Sequence, residues 1–415
     1  MATKVVEIEL NKFATLNLAE LDLSKYGALQ ILVRQAGKPL GYCWIKLTET
    51  ATPPPPDEIA LQTAYQLNTP IMLDMLRKDL LSHNGLPQPY LPHVTVAICT
   101  RGRKDSLFRT LESLAKLDYP ADKLEILIVE NAPEGEATRR QVEAMTGVRY
   151  TTEPRPGLSW ARNRAALEAR HEIVAFIDDD VEIDSGWLKA IVHPFAEPSV
   201  MCVTGLVAPA RQDTPSQELF EAFGGLGKGF MYKHINMAWQ RTATFFPLGT
   251  GNFGAGANMA FRTAVIKELG GFDVAFGNGV PNNGHNDNEL FYRLIRAGYG
   301  LVYNPDALVW HYHREDMKSL YYQINGYGHG TASFLLKTFI SDPPMRRDTL
   351  VFWLYYRLLN AHLLKVLKAR GLERKMRLVY FQGFLTGPFK YYQSLQIKKK
   401  TIARYGKAGW ESKSD

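Results

Sequence analysis

The amino-acid sequence predicts an α/β fold in which helices cover both faces of a parallel sheet, with a small β-rich module before it and a helical region after it. The sheet is predicted because short apolar runs alternate with stretches of helical periodicity from Val94 onward. The chain has 415 residues, of which 46% are hydrophobic and 22% are charged. A chain of this length and balance is globular and has more than one domain.

Residues 1–90 are the first predicted domain. Runs rich in Val, Ile and Leu predict three strands, at residues 5–10, 29–34 and 41–46. Consecutive prolines at 53–56 cannot continue a helix or a strand, and they predict a stiff spacer. A helix is expected over residues 58–82, followed by a turn-rich segment at 83–92. Two roles stay open for this domain, which are binding of a substrate molecule and contact between subunits.

Residues 93–315 are the second predicted domain and contain the parallel sheet. Apolar runs predict strands at residues 94–99, 124–129, 148–151 and 173–177. The stretches between them predict helices around residues 107–117, 134–145 and 159–170. In sheets of this kind the binding site forms beyond the carboxyl ends of the strands, so the polar residues that follow the strands are the candidates.

Three carboxylates, Asp178, Asp179 and Asp180, directly follow the last of these strands. Carboxylates so close together repel one another, and they are tolerated when a cation or several hydrogen-bond donors compensate them. Hard divalent ions such as Mg²⁺ and Mn²⁺ prefer carboxylate oxygens and the oxygens of substrate phosphates. The triplet therefore predicts a metal site. The alternative is an acidic turn that caps the helix near Trp187.

Polar residues also follow the other strands. Thr100 and Arg101 come after the first strand and suit a phosphate or the edge of a ring, although a solvated basic turn has the same composition. Glu130 follows the second strand, where an acceptor can take a ribose hydroxyl or a base N–H. The alternative there is a helix N-cap, for which Asn131 is well suited. Arg162, near a helix start, faces either a nucleotide or solvent. A Gly-rich phosphate loop of the Walker or dinucleotide type does not follow the first strand.

Asp287 and a histidine pair are the remaining candidates. Asp287 lies at the start of a predicted helix, where the helix dipole stabilises the charged form that a general base needs. The alternative is a capping box, in which Asn286 and Glu289 satisfy the helix end. His311 and His313 point the same way on a strand, and either imidazole can complete a metal shell or be structural.

Taken in order, these segments resemble the family 2 glycosyltransferases of GT-A fold. The resemblance covers residues 93–315, and it is carried by VTVAICTRGR, LEILIVENAP, GLSWARNRAALEARHEIVAFIDDDV, GANMAFRTAVIKELGGFD and NDNELFYRLIRAGYGLVYNPDALVWHYH. It implies a Rossmann-like nucleotide-sugar-binding domain, a nucleoside-diphosphate-sugar donor, a divalent metal (Mn²⁺ or Mg²⁺) and transfer with inversion. Among donors, a UDP-sugar is favoured. The expected acceptor is a glycan or a lipid-linked molecule.

Matched position by position, the resemblance implies a role for each candidate. Asp287 is the expected catalytic base, and Asp180 and His311 are the expected metal ligands. The nucleotide pocket is expected to contain Thr100, Arg101, Glu130, Arg162, Asp178 and Asp179. The sugar and acceptor side is expected to contain Asn258 and Asp273. Two positions depart from the family pattern. Glu130 replaces the usual Asp that contacts the nucleotide base, and Asn286 replaces the usual Glu beside the catalytic Asp.

Residues 316–415 are predicted to be helical and basic. From residue 341 the chain has 16 Lys and Arg against 5 Asp and Glu, and this net charge of +11 exceeds the +7 of the whole chain. Apolar residues and cations between 350 and 367 form an amphipathic surface that either meets anionic lipid or packs on the catalytic domain.

The expected location is the cytoplasm, with peripheral contact at the inner face of the membrane. A signal peptide and an apolar run of membrane-spanning length are both missing from the sequence, and the three cysteines are far apart. Nucleic acid is not an expected partner, because no recognised binding motif is present.

Two other function classes stay open at this stage. A sugar-1-phosphate nucleotidyltransferase shares the sheet and the metal carboxylates, but the missing Gly-rich loop after the first strand argues against it. The other class is a non-catalytic protein that binds a nucleotide sugar or a glycan. Asn286, which replaces the usual Glu beside the catalytic Asp, favours this class.

Overall fold

The computed structural model describes residues 2–15, 18, 21–47, 53–82, 90–238, 245–354 and 364–406. Two sequence predictions lie partly outside the described residues: the turn-rich segment at 83–92 and the amphipathic surface at 350–367. The strands are β1 Ala2–Glu9, β2 Tyr26–Gln35, β3 Lys38–Lys46, β4 Val94–Thr100, β5 Leu124–Asn131, β6 Val148–Glu153, β7 Ile173–Asp178, β8 Val181–Ile183, β9 Val200–Pro209, β10 Lys233–Ile235, β11 Asn258–Arg262 and β12 Gly300–His311. The helices are α1 Pro56–Gln66, α2 Asn68–Ser82, α3 Lys104–Leu114, α4 Ala137–Glu143, α5 Leu158–Glu168, α6 Trp187–Val192, α7 Pro215–Ala222, α8 Thr263–Glu268, α9 Asn286–Arg296, α10 Met317–Ser341, α11 Arg346–Val351, α12 Leu364–Lys368 and α13 Gly371–Tyr405.

The N-terminal strands form a separate three-stranded sheet in the order β1–β2–β3, and the three predicted strands are confirmed. Strand β1 runs parallel to β2, and β2 runs antiparallel to β3. Polar contacts join this sheet to the rest of the protein. Arg34 donates to Asp184 at 2.6 Å, and the Tyr26 hydroxyl donates to Asp213 at 2.7 Å.

The second sheet has the order β10–β12–β9–β11–β7–β4–β5–β6, with β8 paired to β12. Strands β7, β4, β5 and β6 are parallel neighbours, as the sequence predicts, and β11 lies antiparallel between β7 and β9. Alternate residues of β4 face opposite sides. Val96 and Ile98 pack with α3 and α6, whereas Ala97 packs with α5 and α9. The predicted α/β class, with helices on both faces, is confirmed.

The C-terminal region is helical, as predicted, and its two long helices lie side by side. Glycines allow their backbones to approach closely. A Cβ on Gly328 of α10 would lie 2.2 Å from the Tyr380 carbonyl oxygen, and a Cβ on Gly383 of α13 would lie 2.1 Å from the Asn325 carbonyl oxygen. Helix α13 also reaches the second domain, where the Ser394 hydroxyl accepts from the Asn282 N–H at 3.0 Å.

Among the helices of the described residues, none combines the length and the apolar character that crossing a bilayer requires. The inner face of α13 fits the alternative in which the C-terminal region packs on the catalytic domain. The domain boundaries near residues 90 and 315 stay predictions.

Candidate active site

The acidic triplet lies at the carboxyl end of β7, in the middle of the large sheet, as the sequence predicts. Asp178 is the last residue of β7, and Asp179 and Asp180 form the turn into β8. Two arginines compensate the carboxylates. The Arg103 guanidinium donates to Asp179 at 3.1 Å and to Asp180 at 2.8 Å, and Arg162 donates to Asp178 at 3.1 Å. The alternative of an acidic helix cap is wrong, because α6 begins at Trp187 with no side-chain cap.

Asp178, Asp180 and His311 form a group that can hold a metal ion. One ligand atom from each lies within 4.8 Å of the others. Two carboxylate oxygens and an imidazole nitrogen suit Mn²⁺ or Mg²⁺. Asp178, expected in the nucleotide pocket, is thus also placed to bind metal. Burial disfavours the charged form of Asp180, but the neighbouring His311 and Arg103 hold the pKa of this carboxyl below its ordinary value.

Asp179 has a different environment from its two neighbours. It is 5% exposed and accepts from the Thr100 hydroxyl at 2.7 Å and from Arg103. Burial and the nearby charge of Asp180 raise the pKa of Asp179 to about 6, against the opposing effect of Arg103. Both of its oxygens accept from protein donors, Oδ2 from Thr100 and Oδ1 from Arg103, so this carboxylate connects the end of β4 to the turn that follows β7.

A chain of hydrogen-bonded side chains runs behind His311. Its Nε2 lies 3.2 Å from Asp180 Oδ1, and its Nδ1 lies 3.0 Å from Nδ1 of His313. Nε2 of His313 lies 2.7 Å from Glu221 Oε1 on α7. A carboxylate acceptor requires a proton on Nε2 of His313, so Nδ1 of a neutral His313 is an acceptor for Nδ1–H of His311. Burial disfavours the charged form of His311, but Asp180 raises the pKa of this imidazole, which fits a proton on Nε2 that faces Asp180. A metal ion bound by Nε2 would take the place of that proton.

Asp287 lies in the first turn of α9 and is held by three hydrogen bonds. Its Oδ2 accepts from the Gly256 N–H at 2.7 Å, and its Oδ1 accepts from the N–H and the side-chain amide of Asn288 at 2.8 and 3.1 Å. The capping-box alternative is wrong. His285, not Asn286, precedes the helix without a side-chain cap, and Glu289 bonds to Arg293 instead.

Asp287 shares one cavity of about 640 Å³ with Asp178, Asp180 and His311. Arg162 links Asp178 to the segment that holds Asp287, because its guanidinium donates to Asp178 and also to the carbonyl of Gly256, the residue whose N–H bonds to Asp287. A candidate base therefore faces the same space as the candidate metal group.

A smaller adjoining cavity lies beyond the ends of β4 and β5. Three of the residues expected in the nucleotide pocket line it, which are Thr100, Arg101 and Asp179. Glu130 does not line it, since this buried carboxylate accepts a hydrogen bond from the Tyr150 hydroxyl. The next residue, Asn131, lines the cavity instead.

Asn258 and Asp273, the residues expected on the sugar and acceptor side, line neither cavity. Asn258 is fully buried, accepts from the Trp187 indole N–H at 2.8 Å, and donates to the carbonyls of Leu206 and Ala307. Asp273 pairs with Lys337 at 2.5 Å and Lys398 at 3.3 Å. In this structure both side chains connect secondary-structure elements.

Several residues that line the large cavity were not among the sequence candidates. One wall comes from Arg314, which follows the histidine pair, and from side chains at the start of α10, which are Lys318, Ser319, Tyr322, Gln323 and Tyr327. No local pattern marks the residues of α10, because they reach the cavity only through the packing of this helix. Arg103 does have a local signal, since it lies in the same Thr-Arg-Gly-Arg segment as Thr100 and Arg101.

Comparison with known proteins adds to this geometry. A pre-mycofactocin glycosyltransferase of Mycobacterium tuberculosis is 26% identical over 297 residues, which cover 68% of this chain and 58% of that protein. The match thus spans less than two thirds of that relative's length. A glucosyl-dolichyl phosphate glucuronosyltransferase of Haloferax volcanii is 26% identical over 229 residues, which cover 52% of this chain and 68% of that protein.

One solved structure with a similar chain is a mannosyltransferase from Pyrobaculum calidifontis in complex with GDP-Man and Mn²⁺. It is 20% identical, with a TM-score of 0.47, over 83% of this chain and 97% of that one. The family comparison is more specific. Residues 92–325, more than half of the chain, match the family described as glycosyltransferase like family 2. This match agrees with the GT-A fold that the sequence resemblance implies, and the chain belongs to this family.

Proposed function

We propose that this protein transfers a sugar from a nucleoside-diphosphate-sugar to a hydroxyl group of an acceptor, with inversion at the anomeric carbon. The observation that carries the proposal is the shared cavity of Asp287 and the group formed by Asp178, Asp180 and His311. A direct displacement needs a base on the side of the incoming hydroxyl and compensation of charge on the side of the leaving diphosphate. Residues suited to both tasks border one space.

Asp287 is the proposed general base. Its three hydrogen bonds from Gly256 and Asn288 fix the carboxylate. Oδ1 accepts two of them, whereas Oδ2 accepts one and keeps a lone pair for the proton of an acceptor hydroxyl. As that hydroxyl attacks the anomeric carbon, the bond to the diphosphate breaks on the opposite face. The proton moves to Asp287, and the nucleoside diphosphate leaves with the bonding electrons.

The leaving side of the cavity is cationic at its edges. Arg103 and Arg162 contact the triplet, and Arg314 follows the histidine pair along the cavity wall. Asp178, Asp180 and His311 would hold a divalent ion, which when bound supplies the neutralisation that makes a diphosphate a good leaving group. The nucleoside is proposed to occupy the smaller cavity at Thr100, where side chains with hydrogen-bonding groups meet the ends of β4 and β5.

A UDP-sugar is the favoured donor and a glycan or lipid-linked molecule the favoured acceptor. The relative from Haloferax, whose name contains a dolichyl phosphate, supports a lipid-linked acceptor. A place in the cytoplasm, at the inner face of a membrane, is part of this proposal, since the net charge of +11 from residue 341 onward suits anionic lipid.

The proposal is tested with Asp287→Asn. Loss of a general base lowers a rate by about 10²- to 10⁴-fold, whereas donor binding should be retained because Asn keeps the shape of the side chain. Donor binding is first measured as a thermal shift with UDP-, GDP- and dTDP-sugars, with and without Mn²⁺. Donor turnover is then measured with the sugar that binds.

Asp105→Asn is the matched control, because Asp105 is an exposed acid in the first turn of another helix, α3. It should turn over donor at the wild-type rate. Normal turnover by Asp287→Asn would refute its role as base. Donor binding without turnover by the wild-type protein would instead favour a non-catalytic binding protein.

A further inference from the structure

Helix α13 has two faces of opposite character. The inner face is buried, and Tyr380, Phe384 and Tyr391 pack in a cluster with residues of α10. The same face carries Ser394, which bonds to Asn282, and Lys398, which bonds to Asp273. These contacts fix the helix on the protein, so its opposite face has a defined direction.

The opposite face carries an exposed apolar stripe, defined here as Leu378, Leu385, Phe389 and Tyr392. These side chains are 46% to 61% exposed. Their spacings of seven, four and three residues place them on one side of an α-helix, along about 21 Å of its length. Within the described part of the chain, large apolar side chains on this face are therefore left in contact with solvent.

Cations lie at both ends of the stripe. Arg374 precedes it, and Lys399 and Lys400 follow it, on the same side of the helix by their spacing. All three are exposed, and no salt bridge joins any of them to a described acidic residue. The acid of α13, Glu373, is engaged by Arg377 at 2.6 Å.

We propose that the stripe docks on a bilayer surface containing anionic lipids. Apolar side chains flanked by cations match the interfacial region of such a bilayer, where acyl chains lie below negative headgroups. A second copy of this chain fits the stripe less well than a bilayer does. A symmetric contact between two stripes would bring their cations together without acidic residues to compensate them. The inference rests on the membrane contact proposed above and names the surface that makes it.

The test is flotation of the full chain with phosphatidylcholine vesicles that contain phosphatidylserine, against vesicles of phosphatidylcholine alone. Wild-type protein should float with the anionic vesicles, and raising the salt should weaken this binding. The double variant Leu385→Glu, Phe389→Glu should bind about tenfold more weakly or worse, because it replaces the apolar centre of the stripe by charge.

The matched control is Leu61→Glu, Tyr65→Glu on α1. These two side chains have the same i, i+4 spacing and are 72% and 82% exposed, but they belong to the N-terminal domain. This control should float like the wild type. Equal flotation of wild type and the Leu385, Phe389 variant would overturn the proposal, and so would wild-type protein that fails to float at low salt.

Two further measurements separate other outcomes. Light scattering measures whether the protein is a dimer. If the wild type were a dimer, the Leu385, Phe389 variant a monomer and neither bound vesicles, the stripe would be a self-association surface and the proposal would be overturned. Donor turnover without vesicles should be the same in the variant and the wild type. A protein that floats but does not turn over donor would refute the proposed enzymatic function while leaving the docking surface intact.

Discussion

Removal of the Glu221 carboxylate should weaken metal binding at a distance. Glu221 lies behind His313, which in turn lies behind His311, so Glu221 does not reach the candidate metal group itself. Its acceptor oxygen keeps the proton of His313 on Nε2, and this leaves Nδ1 to accept from His311. Glu221→Ala takes that acceptor away.

The magnitude follows from the burial of His313, whose side chain is 2% exposed. A buried donor left without an acceptor costs about 1–3 kcal/mol. His313 can avoid this cost by moving its proton to Nδ1, but that proton then opposes Nδ1–H of His311. His311 would respond by carrying its proton on Nε2, the atom that faces Asp180. Without metal, this alternative arrangement leaves no donor unpaired. A cation on Nε2 requires the proton of His311 to return to Nδ1, and His313 must then carry its own proton on an unpaired Nε2. Cation binding should therefore lose up to about 1–3 kcal/mol, roughly 5- to 150-fold in affinity, which agrees with the usual effect of residues behind a metal ligand.

The assay is titration calorimetry of Mn²⁺ into the full chain. Glu221→Gln should retain most of the affinity, because the amide oxygen of Gln can still accept from His313. Glu218→Ala is the control on the same helix, since Glu218 accepts from the Thr3 hydroxyl at 3.0 Å and not from a histidine. Wild-type Mn²⁺ affinity in Glu221→Ala, together with lost affinity in His311→Ala, would refute the reasoning.

Two further predictions concern how the C-terminal region is attached. Lys337→Met should destabilise the protein by about 1–3 kcal/mol in urea unfolding, because it removes the cation that Asp273 and Glu289 share and leaves them with Lys398 and Arg293. Lys116→Met, on an exposed side chain, should be nearly neutral. Burial opposes ionisation of Asp273, but Lys337 and Lys398 hold its pKa below the ordinary value, so this stabilisation is present above about pH 4 and is lost on acidification, and the variant should lose that pH dependence. Gly383→Ala should cost about 1–3 kcal/mol in the same assay, since its Cβ would lie 2.1 Å from the Asn325 carbonyl oxygen, whereas Gly135→Ala meets no atom within 4 Å and should be neutral. Equal stability of either variant and its control would contradict the corresponding argument.

The parts of the structure that could be predicted from sequence are those with a local signal. Strand β4 is a continuous apolar run because both of its faces are covered, and Asp178 follows a run of the same kind in β7. Asp287 was identified because its segment resembles a family motif. Glu221 has no such signal. It lies 92 residues before His313, and only the contacts of α7 with the segment that follows β12 bring the two together.

The cavity wall formed by α10 also depends on tertiary packing and has no local signal in the sequence. Lys318 and Tyr322 occupy ordinary positions of an amphipathic helix, and they border the cavity because α10 is held in place by α13 and by the ion pair of Lys337 with Asp273. Asp273 itself was expected at the acceptor side. Its contacts suggest an indirect part in the site, since it anchors the helix whose other end forms the cavity wall.

The acidic triplet illustrates why position in a motif does not define a role. In sequence, Asp178, Asp179 and Asp180 are three identical side chains, and only their order distinguishes them. In the structure, Thr100 engages Asp179, while Asp178 and Asp180 face His311. Asp178 ends β7, whereas Asp179 and Asp180 lie in the turn that follows, so the three side chains leave the backbone in different directions. The first and third carboxylates meet beside His311, and the middle one reaches Thr100 at the end of β4. The division into two candidate metal ligands and one carboxylate that bonds to Thr100 is therefore a consequence of the turn geometry together with the strand that neighbours β7.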